Sequence, residues 1–139
     1  WQTALNGIHA YQTYLELTRK NKPISSLREE NLLLKPVTQM ALAHVALTAR
    51  RKGVPWESIV GKLNQIDWSF DNALWFNILV IGSANKKMIT GKEFVRSAGM
   101  VIAYMVMGDQ MTRGEVDDVR QIICNARNDA NAPLPSRIP

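Results

Sequence analysis

Apolar residues recur along this chain mainly at steps of three and four. Trp1, Ala4, Ile8, Tyr11 and Leu15 fall on one stripe, with Leu5 and Leu17 beside it, and predict a helix over residues 1–20. Lys22-Pro23 ends it, because the residue before a proline disfavours the helical region. Ser26 and Glu29 have the spacing of a capping box for a short helical turn. Pro36 opens the next helix, with Val37, Met40, Ala41, His44, Val45 and Thr48 on one face. Its end is marked by cations at Arg50-Arg51-Lys52, which complement the helix dipole, and by Gly53 as a left-handed stop. A third helix starts near Pro55 and carries Ile59, Val60, Leu63 and Ile66, weakened at Gly61 by about 1 kcal/mol relative to alanine.

Residues 76–89 fit two readings. The run Ile78–Ile81, the turn-prone Gly82-Ser83-Ala84-Asn85 and then Met88-Ile89 make a small hairpin; alternatively, Asn72 caps a helix running to Ile81. Thr90 and Glu93 have capping-box spacing for a helix to about Met107. That helix is apolar on most sides through Phe94, Val95, Ala98, Val101, Ile102 and Met105, and is expected to be central. Thr112 and Glu115 give a third box, opening a helix with Val116, Val119, Ile122 and Ile123. The pattern predicts an all-α or nearly all-α bundle of about five helices, with one short β-hairpin as the exception. Residues 1–128 form a single helical domain in this reading, and the proline-rich residues 129–139 an extended tail.

Composition adds bounds. A chain of 139 residues suits one domain and buries a core without disulfides or metals. Because Trp1 is already in helical register, the chain is expected to be a fragment of a longer protein, whose upstream part is then a natural partner. Seventeen Lys and Arg against twelve Asp and Glu give a net charge of +5, which permits nucleic-acid binding without demanding it. The single cysteine, Cys124, excludes an internal disulfide and fits a reducing, cytoplasmic setting. The longest apolar run, Met100–Met107, is too short to span a bilayer, so no membrane partner is expected.

Chemistry is sparse. His9, His44 and Cys124 make no paired ligand spacing, so no metal is expected, and His44 reads as a core residue on an apolar face. Gly91-Lys92 is followed by Glu93, so there is no phosphate loop, and no cofactor is expected. Cys124 beside Ile122 and Ile123 reads as a small buried hydrophobe, while adjacent Asp117 and Asp118 point to different sides of a helix. With no nucleophile, base or paired carboxylates assembled, the sequence offers no catalytic residue, and an enzyme fragment ranks third, behind the two non-enzymatic readings.

Binding features stand out more. Basic clusters occur at Arg19-Lys20-Lys22, at Arg50-Arg51-Lys52 and at Lys86-Lys87. Arg50, Arg51, Lys52, Lys86 and Lys87 are the candidate nucleic-acid-binding residues, against the plainer reading of solvated helix ends. Ala49 to Ile59 has the residue pattern of a helix-turn-helix corner, with Ala49 four before Gly53, then Val54 and Ile59. Glu57 and Gly61 count against its second helix reading DNA. Trp56, Trp68 and Trp75 are bulky anchors, either holding their segment on the core or presenting a surface to a partner.

The stretch from about Leu33 to Met107 resembles the C-terminal part of the DGQHR-domain family, DndB-like proteins associated with DNA phosphorothioation. The resemblance rests on Leu34-Lys35-Pro36-Val37-Thr38-Gln39-Met40-Ala41-Leu42-Ala43, on Leu63, and on Ile66-Asp67-Trp68-Ser69 with Asn72-Ala73-Leu74-Trp75. A later helix with Lys92, Val95 and Arg96 completes it. The namesake Asp-Gly-Gln-His-Arg motif is absent and would belong upstream. The resemblance implies a role in bacterial DNA modification or its regulation, with DNA as partner. Together with the missing catalytic constellation, it leads to the preferred expectation of a non-enzymatic, DNA-associated module of a DNA-modification or defence system. The alternative is a structural or oligomerisation domain that binds a protein partner, or a second copy of itself, through the tryptophan segment.

Overall fold

Two long helices pack together at the centre of the molecule. In the computed structural model, α4 (Pro36–Lys52) lies against α6 (Lys92–Met107) more extensively than any other pair of elements. Their approach is close because the facing residues are small: Ala41, Ala98 and Gly99 are buried, and a Cβ on Gly99 would lie 2.9 Å from the Cβ of His44. Around this pair lie α1 (Gln2–Leu5), α2 (His9–Arg19), α3 (Ser25–Glu30), α5 (Trp56–Leu63) and α7 (Arg113–Arg127). A minimal antiparallel hairpin, β1 (Val80–Ile81) with β2 (Lys87–Met88), is the only sheet among the described residues. The structure describes residues 2–82 and 85–139; Trp1, Ser83 and Ala84, and with them part of the expected turn, lie outside the described residues.

The molecule is thus a mostly α bundle, with α2, α4, α5, α6 and α7 as its helices of eight residues or more. Local signals explain several boundaries. Pro36 stands at the start of α4, and Gly53 ends it in the left-handed region at φ 67°. Thr112 and Glu115 form both bonds of a capping box at the start of α7. Gly82 follows β1 at φ 92°, where a Cβ would meet the Asn85 carbonyl oxygen at 2.5 Å. α6 is the central helix, burying Val95, Ala98, Val101, Ile102 and Met105.

Other local expectations are corrected. The first helix is not continuous over 1–20; it breaks between Leu5 and His9. The Asn64 side chain, arriving from the end of α5, stabilises the break. Its Oδ1 accepts from the His9 amide at 3.0 Å, and its Nδ2 donates to the Gly7 carbonyl at 3.0 Å. Ser26 and Glu29 form no capping box, since α3 starts at Ser25 behind Ile24. Thr90 does not cap α6, which starts at Lys92 behind Gly91. Asn72 caps only the short 3-10 turn Ala73–Trp75, not a helix to Ile81.

The buried face of α4 only partly matches the one anticipated: Ala41 and Val45 are shared by both. Thr38, Ala41, Leu42, Val45 and Ala49 point inward, whereas Met40 is 54% exposed and His44 is exposed. The helix has apolar residues on most sides, so its periodicity alone could not choose the buried face. The tail from residue 129 has no helix or strand but packs on the core: Ala132 is buried, and the Ile138 amide donates to the Met105 carbonyl at 2.8 Å.

The segment between α5 and the hairpin is held by two tryptophans. Trp68 and Trp75 stack with centroids 4.8 Å apart and planes 8° from parallel, and both are buried. Each indole N–H has an acceptor: Trp68 donates to the Leu63 carbonyl and Trp75 to the Asp67 carbonyl, both at 2.9 Å. The Trp68 carbonyl accepts from the Leu32 amide at 2.8 Å, tying the α3–α4 connection to the same segment.

Trp68→Ala should cost about 3–5 kcal/mol, because a ring and its stacking partner are lost from a packed core. Thermal unfolding followed by circular dichroism should show a midpoint roughly 10 °C lower. Gly61 tests the opposite direction. It sits exposed in α5, and a methyl group added there would point into open space. Gly61→Ala should therefore stabilise the fold by about 0.5–1 kcal/mol in urea denaturation, through helix propensity.

Candidate nucleic-acid interface

The basic end of α4 reaches a polar cleft of about 470 Å³ between α4, α6 and α7. Helical spacing brings His44, Thr48, Arg51 and Lys52 to it from α4, and Arg96 from α6. Glu115 and Asp118 come from α7. Lys52 is fixed here. Its Nζ lies 2.7 Å from Glu115 Oε1, and the lysine side chain is only 19% exposed. The same Oε1 accepts from the Thr112 amide at 3.1 Å. Glu115 thus closes its own helix cap and neutralises Lys52 together. The Lys52 hydrogen bond, followed by the Thr112 amide, holds the Glu115 carboxyl below its usual pKa of 4.5.

Arg51 and Arg96 differ from Lys52. Both are exposed, and neither pairs with a carboxylate among the described residues. Arg51 makes a long contact of 3.4 Å to the Thr48 hydroxyl. Arg50 is also exposed, one position further round α4. Guanidinium groups with free N–H donors can grip phosphate oxygens in bidentate fashion. Arg96 was not among the sequence-derived site residues; nothing in its local sequence says that α6 delivers it beside Arg51.

The second basic cluster does not join the first. Lys86 pairs with Asp71 and shares a cavity with Arg127, at the last turn of α7. Lys52 pairs with Glu115 in the first turn of the same helix. Twelve residues separate positions 115 and 127, which is about 18 Å along a helix. The five candidate cations are therefore not one patch, and Lys52 and Lys86 are internally paired. Lys87 is exposed on β2. The cluster at residues 19–22 has Lys20 paired with Glu16.

The helix-turn-helix corner exists as α4, Gly53 and α5, with Ala49 and Ile59 buried across it. Trp56 is not free to read a groove, however. It is half-buried, and its Nε1 donates to the Ala4 carbonyl at 2.6 Å. The Ser58 hydroxyl donates to the Pro55 carbonyl at 2.7 Å. The rings of Trp68 and Trp75 are buried and offer no surface to a partner. His44 is exposed at the cleft rather than packed in the core. Cys124 is half-buried, its thiol donating to the Ala130 carbonyl at 3.5 Å.

Among the described residues, no three His, Cys, Asp or Glu side chains cluster to hold a metal ion. No described helix is long and apolar enough to cross a membrane. No family model, curated protein or solved structure matches this chain.

The Glu115 carboxyl gives a pH prediction. Its pKa is depressed in the folded state, so its stabilising contribution is present above the ordinary carboxylate range and is lost as pH falls through the folded pKa. Glu115→Gln keeps a cap acceptor but removes this titration. The variant should be less stable than the parent at neutral pH, and its urea midpoint should fall less steeply below about pH 4.5.

Proposed function

We propose that this chain is a non-enzymatic, DNA-associated module that contacts the phosphate backbone through Arg50, Arg51 and Arg96. The observation that carries the reading is the pairing pattern at the α4–α6–α7 cleft: Lys52 is neutralised by Glu115, whereas Arg51 and Arg96 keep their donors for an outside anion. The resemblance to the DGQHR-domain family supplies the setting, a bacterial DNA-modification or defence system, in which the chain acts as a regulatory or positioning part of a cytoplasmic protein.

Contacts of this kind fix position and carry no direct sequence information. Gel-shift titrations at two salt concentrations test them. Arg50→Ala with Arg51→Ala should weaken binding to all duplexes alike and lower the slope of log K against log salt by up to about 2. Arg96→Ala should lower it by about 1. Lys86→Ala should change neither, since Lys86 is paired and remote. Absence of binding at low salt would remove DNA as a direct partner.

One observation favours a second reading, a partner-binding or oligomerisation domain. Phe76, Ile81 and Phe94 are 41%, 44% and 48% exposed around the hairpin and the start of α6. Ile81 and Phe94 line an adjoining cleft of about 560 Å³. These residues, rather than the tryptophan rings, would form that surface. Sedimentation analysis of the parent and of Phe94→Ser distinguishes a self-associating chain from a monomer.

A further inference from the structure

A separate cavity of about 410 Å³ lies between the tryptophan segment, the hairpin and the last turn of α7. Its volume falls in the range of small-molecule sites, about 300–1,000 Å³. Phe70, Phe76 and Val80 give it apolar walls, and Lys86 and Arg127 bring two cations to it.

Arg127 is half-buried. Its Nη1 donates to the Phe76 carbonyl at 2.6 Å and its Nη2 to the Leu74 carbonyl at 2.8 Å. Both acceptors are neutral, and no carboxylate among the described residues pairs with this guanidinium. Its positive charge is held in place and left uncompensated, with further N–H donors beyond the two engaged. Burial also pushes its pKa down, which reflects the same loss of solvent.

Lys86 does have a partner, but a replaceable one. Its side chain is 33% exposed, whereas that of Asp71 is 90% exposed. The carboxylate reaches in from solvent, and exposed ion pairs of this kind contribute little. Lys86, Arg127 and Asp71 together leave the cavity with one net positive charge.

We propose that this cavity binds a flat organic monoanion, an aromatic ring carrying one carboxylate, with the ring against Phe70 and Phe76 and the oxyanion on Lys86 and Arg127. The site combines what such a ligand needs: aromatic walls for the ring and a fixed guanidinium for the charge. Asp71 is its built-in competitor, occupying Lys86 until the ligand carboxylate displaces it.

Naphthoate is the probe, titrated into the full chain and followed by heteronuclear NMR. Saturable shifts should appear at Asp71, Phe76, Lys86 and Arg127, with a Kd below about 1 mM. Naphthol, which lacks the charge, should bind at least about tenfold more weakly, and acetate alone should not saturate the site. Asp71→Asn removes the competitor and should tighten naphthoate binding about threefold or more. Lys86→Met should weaken it about fivefold or more while leaving the spectrum of the core unchanged. Equal affinity for naphthol and naphthoate, no effect of Asp71→Asn, or no saturation below about 5 mM would each overturn the proposal. Replacing Arg50 and Arg51 should leave naphthoate binding intact, so this outcome is independent of DNA binding.

Discussion

The stacked pair Trp68–Trp75 is the interaction on which the rest of this structure depends. The chain between α5 and α6 has almost no regular secondary structure of its own, and an irregular segment must find partners for its backbone groups elsewhere. The two rings contribute roughly 2–3 kcal/mol each by burial and about 1 kcal/mol by stacking. Their indole N–H groups fasten the segment to Leu63 at the end of α5 and to its own Asp67. Asn72 adds a bond from its amide to the Asp67 carbonyl and caps the turn that carries Trp75. The Asp-Trp-Ser and Asn-Ala-Leu-Trp residues thus hold one another. In this fold they act as a structural device that fixes the loop conformation.

The two candidate sites lie at opposite ends of one helix, α7. The first turn of α7 supplies Glu115, which fixes Lys52 and leaves Arg51 and Arg96 as the open cations of the α4–α6–α7 cleft. The last turn supplies Arg127, which grips the carbonyls of Leu74 and Phe76 and so orients the segment after the tryptophan pair. The net positive charge of the sequence is therefore not a single field. Near each end of α7 one lysine is neutralised, Lys52 by Glu115 and Lys86 by Asp71.

Much of the helical plan was legible. Pro36, Gly53 and the Thr112–Glu115 box act within one or two turns, and the structure shows each where its chemistry places it. Other signals of the same form did not operate. Ser26–Glu29 and Thr90–Glu93 have the right spacing, but α3 begins at Ser25 behind Ile24 and α6 at Lys92 behind Gly91. Spacing is necessary for a capping box and does not choose the residue at which a helix begins. At the candidate sites, Arg50, Arg51 and Lys86 could be named from their charge clusters. Arg96, Arg127 and the exposed Phe94 could not, since their importance comes from neighbours far away in sequence.

What the sequence determined by itself was most of the main helices, the hairpin as one of two options, and the ends set by proline, glycine and the Thr112 cap. These depend on interactions spanning only a few residues, which the order of side chains encodes directly. Tertiary structure alone decided the break between α1 and α2, the buried face of α4 and the pairing of each cation. The Asn64 side chain reaches across 55 residues to His9, and Lys52 across 63 to Glu115. A helix with apolar residues on most sides takes its inner face from whatever packs against it, and a lysine is free or neutralised according to which carboxylate the fold brings near. Such choices belong to contacts between distant segments, and no local pattern contains them.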